Sequence, residues 1–162
     1  HRVKNGKQEV SRTRTGMKSF LNWLSSNTCA AIAETEVVPY PTESLKLLKK
    51  EPDFIIERGK EVFYELLMEI KPRLIILHGK RTVEYFDEIL TERGAIPSKS
   101  ICLDRTIEDI EKQLPLYRFK YQNGKIATIM AYRHFMYYGI KGESFKSFRE
   151  NILKVLKDNI HQ

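Results

Sequence analysis

Apolar positions along the chain fall into several distinct periods, and each change of period marks an element. Leu74-Ile75-Ile76-Leu77 is an unbroken apolar run entered through Pro72 and Arg73. A short run without alternation is how a strand covered on both faces reads, so this stretch predicts a central strand. Upstream, Met17, Phe20, Leu21 and Leu24 recur at i, i+3, i+4 and i+7, with Trp23 at the edge of that face and Thr15 placed to cap the helix. Cys29 to Val38 reads as a strand, which Pro39-Tyr40-Pro41 stops by removing backbone donors and fixing φ. Thr42 or Ser44 can then cap Leu45 to Leu48. From Pro52 a helical pattern runs through Phe54, Ile55, Val62, Phe63, Leu66, Leu67 and Ile70, with Gly59 as a candidate interruption.

Beyond the apolar run, His78-Gly79 lets the backbone turn sharply, and Val83, Phe86 and Leu90 predict a helix from about Arg81 to Glu92 that Gly94 caps. Ser100 to Leu103 is a short candidate strand, and Thr106 to Gln113 suits one or two helical turns. Leu116 to Tyr121 and Lys125 to Tyr132 flank Gln122-Asn123-Gly124, and Asn-Gly between two apolar-rich runs is a hairpin signal. Glu143 to Leu156 places Phe145, Phe148, Ile152, Val155 and Leu156 on one helical face. No repeat is visible. Alternating helices and strands predict an α/β domain, a three-layer α/β/α sandwich with a mostly parallel central sheet, over residues 16–160. Residues 1–15, polar and basic without period, are expected to be a flexible lead-in.

Composition narrows the class. At 162 residues the chain can bury a core without staples, and its two cysteines, Cys29 and Cys102, stand in no metal-ligand spacing. No apolar run approaches the ~20 residues that span a bilayer, and no signal peptide is visible, so a cytoplasmic location without membrane association is expected. The chain opens at His1 rather than methionine, which leaves room for an upstream segment. Neither a cofactor nor a metal is called for. A net charge of +7 is concentrated at the two ends, with Arg2, Lys4, Lys7, Arg12 and Arg14 near the start and a Lys/Arg excess after Lys112. Such a surface suits a polyanion, and nucleic acid, DNA ahead of RNA, is the expected partner; the plain alternative is solubility charge.

Three places could carry chemistry. Open α/β sheets bind ligands at the carboxyl ends of strands, which directs attention to His78, Gly79 and Lys80. Gly79-Lys80-Arg81-Thr82 is not a phosphate loop, because the position five before Gly79 is Leu74 rather than glycine. Gly79 and the helix after it could still turn N–H groups to a phosphate with Lys80 and Arg81 nearby; a tight turn with solvated charges is the plainer account. Glu34 and Glu36, two apart on a strand, would share a face suited to acid/base or metal chemistry, or simply face water. Arg133-His134 stands among Tyr132, Phe135, Tyr137 and Tyr138, where rings beside cationic donors suit a splayed-out base, and also suit a core.

Thr35-Glu36-Val37-Val38-Pro39-Tyr40-Pro41 resembles the strand end Thr-Asn-Val-Val and the Pro-containing loop of the uracil-DNA glycosylase superfamily. Lys71 to Phe86 resembles its Pro, buried strand, Gly and helix unit, and Ala127 to Phe135 with Ser144 to Leu156 stand where its late strand and closing helix would be. The resemblance implies a DNA-repair hydrolase fold over most of Phe20 to Lys157. Such enzymes flip a base out and stabilise the departing base anion with a histidine and backbone donors. Carried over, His134 would be the donor to the leaving base and Glu36 would face the base or a water. Lys80 and Arg133 would hold phosphates, with Tyr40 a stacking ring. The departures are specific: the superfamily's water-activating loop does not occur in this sequence, Glu36 stands where an asparagine reads the base, and Arg133-His134-Phe135 replaces His-Pro-Ser. These departures favour nucleic-acid or nucleobase binding, with N-glycosidic hydrolysis dependent on a loop supplied from elsewhere. A non-catalytic binding or scaffold domain is the alternative, and a metal-dependent hydrolase or nuclease using Glu34 and Glu36 is a third.

Overall fold

In the computed structural model, which describes residues 10–38, 45–48, 50–95, 105–139 and 141–158, the alternation of side chains along each strand divides the core in two. β1 (Leu74–His78), β2 (Tyr117–Lys120) and β3 (Ile126–Tyr132) form a sheet in the order β1-β3-β2. β1 runs parallel to β3, pairing Leu74 with Thr128 and His78 with Tyr132, while β2 runs antiparallel to β3, pairing Tyr117 with Ile129. Ile75, Leu77, Ala127, Ile129 and Ala131 face one apolar cluster; Leu74, Ile76, Met130 and Tyr132 face the other. The fold is therefore mixed α/β, with apolar packing on both faces of a small, partly parallel sheet.

Helices cover each face because their apolar stripes match it. On the first face lie α3 (Asp53–Ile70), through Phe63 and Leu67, and α4 (Lys80–Glu92), through Val83, Phe86, Ile89 and Leu90. Leu48 of α2 (Leu45–Leu48) and Ile110 of α5 (Ile107–Ile110) join that cluster. The second face takes Met17, Phe20 and Leu24 of α1 (Arg12–Asn27) and Phe148 and Ile152 of α6 (Lys146–Asp158). Two 3₁₀ turns, Phe135–Tyr137 and Glu143–Phe145, fill the same side. Contact with the first of these turns is close: a Cβ built on Gly16 of α1 would sit 2.0 Å from the Phe135 carbonyl oxygen. Across the other face, buried Lys60 binds Glu57 of its own helix at 2.8 Å and links α3 to α4 through Glu88 at 3.0 Å.

Several expectations change. Among the described residues β3 is the middle strand and β1 lies at an edge. Residues 29–38 form no strand: 29–36 are exposed and offer no apolar face to a partner, and only Val37 and Val38 enter the core. α1 starts at Arg12, not after Thr15, because the Ser11 hydroxyl accepts from the Arg14 amide at 3.1 Å and supplies the cap earlier. Gly59 does not interrupt α3, since one helical glycine costs about 1 kcal/mol, less than the packing of Phe63 and Leu67 returns. Gly94, at φ 64, follows the last turn of α4 as expected, and the Asn123-Gly124 stretch joins β2 to β3, with Gly124 at φ 83. The candidate strand at Ser100 to Leu103 and the candidate caps Thr42 and Ser44 lie outside the described residues.

Candidate functional site

β1 and β3, being parallel and in register from Leu74 to His78, deliver their carboxyl ends to the same rim. Gly79 leaves β1 at φ 86, ψ 146, a conformation that favours glycine, and its amide donates to the Tyr132 carbonyl at 2.8 Å. That bond closes the rim between the strand ends. A Cβ at Gly79 would lie 3.4 Å from Cδ2 of His134, in van der Waals contact, so the glycine packs directly beside the imidazole and its positive φ is what favours glycine there. Val37 and Val38, held in the core, bring Glu36 to the same place from a third segment.

The result is a cavity of about 660 Å³ lined by Glu36, His78, Gly79, Lys80, Arg133 and His134, together with Arg81, Thr82 and Tyr137. The structure thus gathers the sequence candidates, apart from Glu34 and Tyr40. Glu34 is bound instead to Arg14 of α1 at 2.8 Å, and without a strand the two glutamates have no common face. Tyr40 lies outside the described residues.

Two imidazoles meet edge to face, with ring centroids 5.1 Å apart at 72°. His78 is pushed down to about 4, first by burial and then by the neighbouring His134. It is neutral at pH 7. Its buried Nδ1 has no hydrogen-bond partner among the described residues. Burial also pushes His134 down, while the negative charge of Glu36 works the other way. Nδ1 of His134 accepts from the Met136 amide at 3.4 Å and faces the Thr13 hydroxyl at 3.5 Å. With Nδ1 used as an acceptor, the proton of the neutral ring belongs on Nε2, so His134 presents a single N–H donor.

The cations differ in how far they are committed. Lys80 opens α4 with Glu84 at 3.9 Å and is partly exposed. Arg81 binds Glu84 at 2.9 Å and lies over the Tyr85 ring at 4.4 Å from its centroid. Arg133 is engaged on two sides by Glu111, Nε donating at 2.9 Å and a terminal nitrogen making a second contact. The phosphate role expected of Arg133 is weakened by this pairing, because a fork held by one carboxylate has fewer donors left. Lys80 at the amino end of α4 is the better placed cation.

The aromatic cluster resolves by geometry. Tyr132, Phe135 and Tyr138 are buried in the core, whereas Tyr137 is 60% exposed and lines the cavity. Residues i and i+3 eclipse in a 3₁₀ turn, so Phe135 and Tyr138 point inward together and Tyr137 is left at the surface. The sequence carries that signal only once the turn is known to be 3₁₀. Thr13 was missed for a different reason, since it reaches His134 across 121 positions of chain.

Among the described residues no helix is long and apolar enough to cross a membrane, and no group of three or more His, Cys, Asp and Glu side chains is arranged to hold a metal ion. Compared with protein-family models, curated proteins and solved structures, the chain finds no match.

Proposed function

We propose that this chain is a divergent domain of the uracil-DNA glycosylase kind, a three-layer α/β/α sandwich, that binds nucleic acid by taking one unstacked base into the cavity. The observation that carries this is the convergence of three distant segments, Glu36, Gly79 and His134, at the carboxyl ends of a parallel strand pair. Each group has a part in base recognition. His134 offers Nε2–H to an oxygen or nitrogen of the base, and the exposed ring of Tyr137 gives a face on which a base can stack. Lys80 and the amide end of α4 supply positive potential for a neighbouring phosphate. If the N-glycosidic bond is cleaved, His134 is the donor to the departing base.

A second, non-catalytic binding role is favoured by Glu36, an acceptor-only carboxylate, and by the commitment of Arg133 to Glu111. One experiment separates the two. The full chain is incubated with single- and double-stranded oligonucleotides containing one uracil, abasic sites are cleaved with alkali, and binding is followed by fluorescence anisotropy. Strand scission lost in His134→Ala supports hydrolysis, and binding without scission supports the non-catalytic role. Binding should weaken with salt and in Lys80→Ala and Tyr137→Ala. Absence of binding to any oligonucleotide would overturn both.

A further inference from the structure

Glu36 is unlike the other polar groups at the rim. Its carboxylate can only accept hydrogen bonds, through two oxygens set for a bidentate partner. The residue is exposed, lines the cavity, and its side chain has no hydrogen-bond or ion-pair partner among the described residues. The nearby cations are taken elsewhere, Arg133 by Glu111 and Arg81 by Glu84. His134, with Nδ1 occupied, contributes one donor, and Lys80 contributes positive charge. The cavity therefore asks three things of a ligand: paired N–H donors for Glu36, an acceptor for His134, and negative charge toward the start of α4. Its volume of about 660 Å³ lies within the ~300–1,000 Å³ of small-molecule sites, large enough for a purine.

From this juxtaposition we infer that the cleft selects a base edge with adjacent ring-imino and amino donors, the edge of guanine, in a phosphate-bearing strand. This rests on the base-binding role proposed above and adds the identity of the edge. Guanine offers N1–H and the N2 amino group side by side, so a carboxylate accepts two parallel hydrogen bonds while the neighbouring O6 can accept from an imidazole N–H. Uracil offers one N–H flanked by two carbonyl oxygens, so a carboxylate gains one bond and meets a repelling oxygen. Adenine and cytosine each set an amino donor beside a ring acceptor, which leaves one carboxylate oxygen opposed by a lone pair. A charged acceptor amplifies the difference, because hydrogen bonds to ionised groups are the strong ones.

The test uses the full chain and single-stranded oligonucleotides of thymine that differ in one central base, guanine or uracil, with affinities measured by titration calorimetry at low and moderate salt. One additional charge-assisted hydrogen bond is expected to favour the guanine strand by about ten- to a hundredfold. In Glu36→Gln that preference should collapse, because an amide replaces one acceptor by a donor. Glu36 is exposed, so this variant should keep the thermal midpoint of the parent. Equal affinity for the two strands, a preference for uracil, or a guanine preference unchanged in Glu36→Gln would overturn the inference and leave the base-binding role standing. Failure of both strands to bind would remove that role as well.

Discussion

Gly16→Ala should destabilise the protein, although the same change in an open helix stabilises. Alanine is about 1 kcal/mol better than glycine inside a helix. At Gly16, however, the new methyl would lie 2.0 Å from the Phe135 carbonyl oxygen, 3.0 Å from its carbon and 3.1 Å from Tyr138 Cβ. A carbon atom normally stays ~3.3 Å or more from a carbonyl oxygen, so helix and turn must part by roughly 1 Å. The obstacle is backbone, which cannot rotate aside as a side chain could. Overpacking of this kind costs ~1–3 kcal/mol, and with Met17, Phe20 and Leu24 all bound to the same surface the upper end applies. After the helical gain is set against it, a net loss of about 2 kcal/mol is expected. Urea denaturation followed by circular dichroism measures it directly. Parting α1 from the turn also draws Thr13 from His134, so the His134 ring resonances should shift in the folded variant. An unchanged or raised denaturation midpoint would refute the close approach on which this rests.

Acid should weaken the fold through His78. Its folded value is about 4 against ~6.5 in the unfolded chain, so between these values the unfolded state binds more protons and stability falls as pH falls, by up to roughly 3 kcal/mol. His134, also pushed down, adds in the same direction. Denaturation midpoints of the parent and His78→Gln at pH 7.5, 6 and 5 should differ in slope; equal slopes would contradict the burial of a neutral imidazole. Lys60→Met should change stability by less than about 1 kcal/mol, because the carboxylates left behind are half exposed and water can solvate them. Lys60→Ala should cost more, since it also opens a void between α3 and α4, and an equal cost in both variants would assign the role of Lys60 to charge instead of volume.

The parts of the fold that were legible in the sequence are those where a local pattern coincides with the packing. Leu74 to Leu77 reads as a strand covered on two sides, and its side chains divide between two apolar clusters. Its place at an edge of the described sheet, with β3 in the middle, was not legible, because strand order follows from which neighbour pairs, and the pairing of β1 with β3 joins positions more than fifty residues apart. Residues 29–38 show the opposite failure: the stretch carries three alanines and two glutamates, types that strands disfavour, and with 29–36 exposed only Val37 and Val38 are buried, so no strand forms. In the site, the rule that ligands gather at strand ends pointed to His78, Gly79 and Lys80, and the rings around Arg133-His134 pointed to His134; the fold places all four on one cavity. The pairing of Arg133 with Glu111 and the support of His134 by Thr13 were not, since both depend on approaches that only the folded chain brings about.

The most direct test is a titration of the isotopically labelled chain with a short single-stranded oligonucleotide, followed by amide and imidazole NMR. Base binding in the cavity predicts saturable shifts at Glu36, Gly79, Lys80, His134 and Tyr137, with the Nε2 proton of His134 slowed in its exchange with water. Shifts confined to Lys146, Arg149, Lys154 and Lys157 of α6, or spread over surface lysines and lost together at moderate salt, would contradict a base-binding cleft and leave only general attraction to charge.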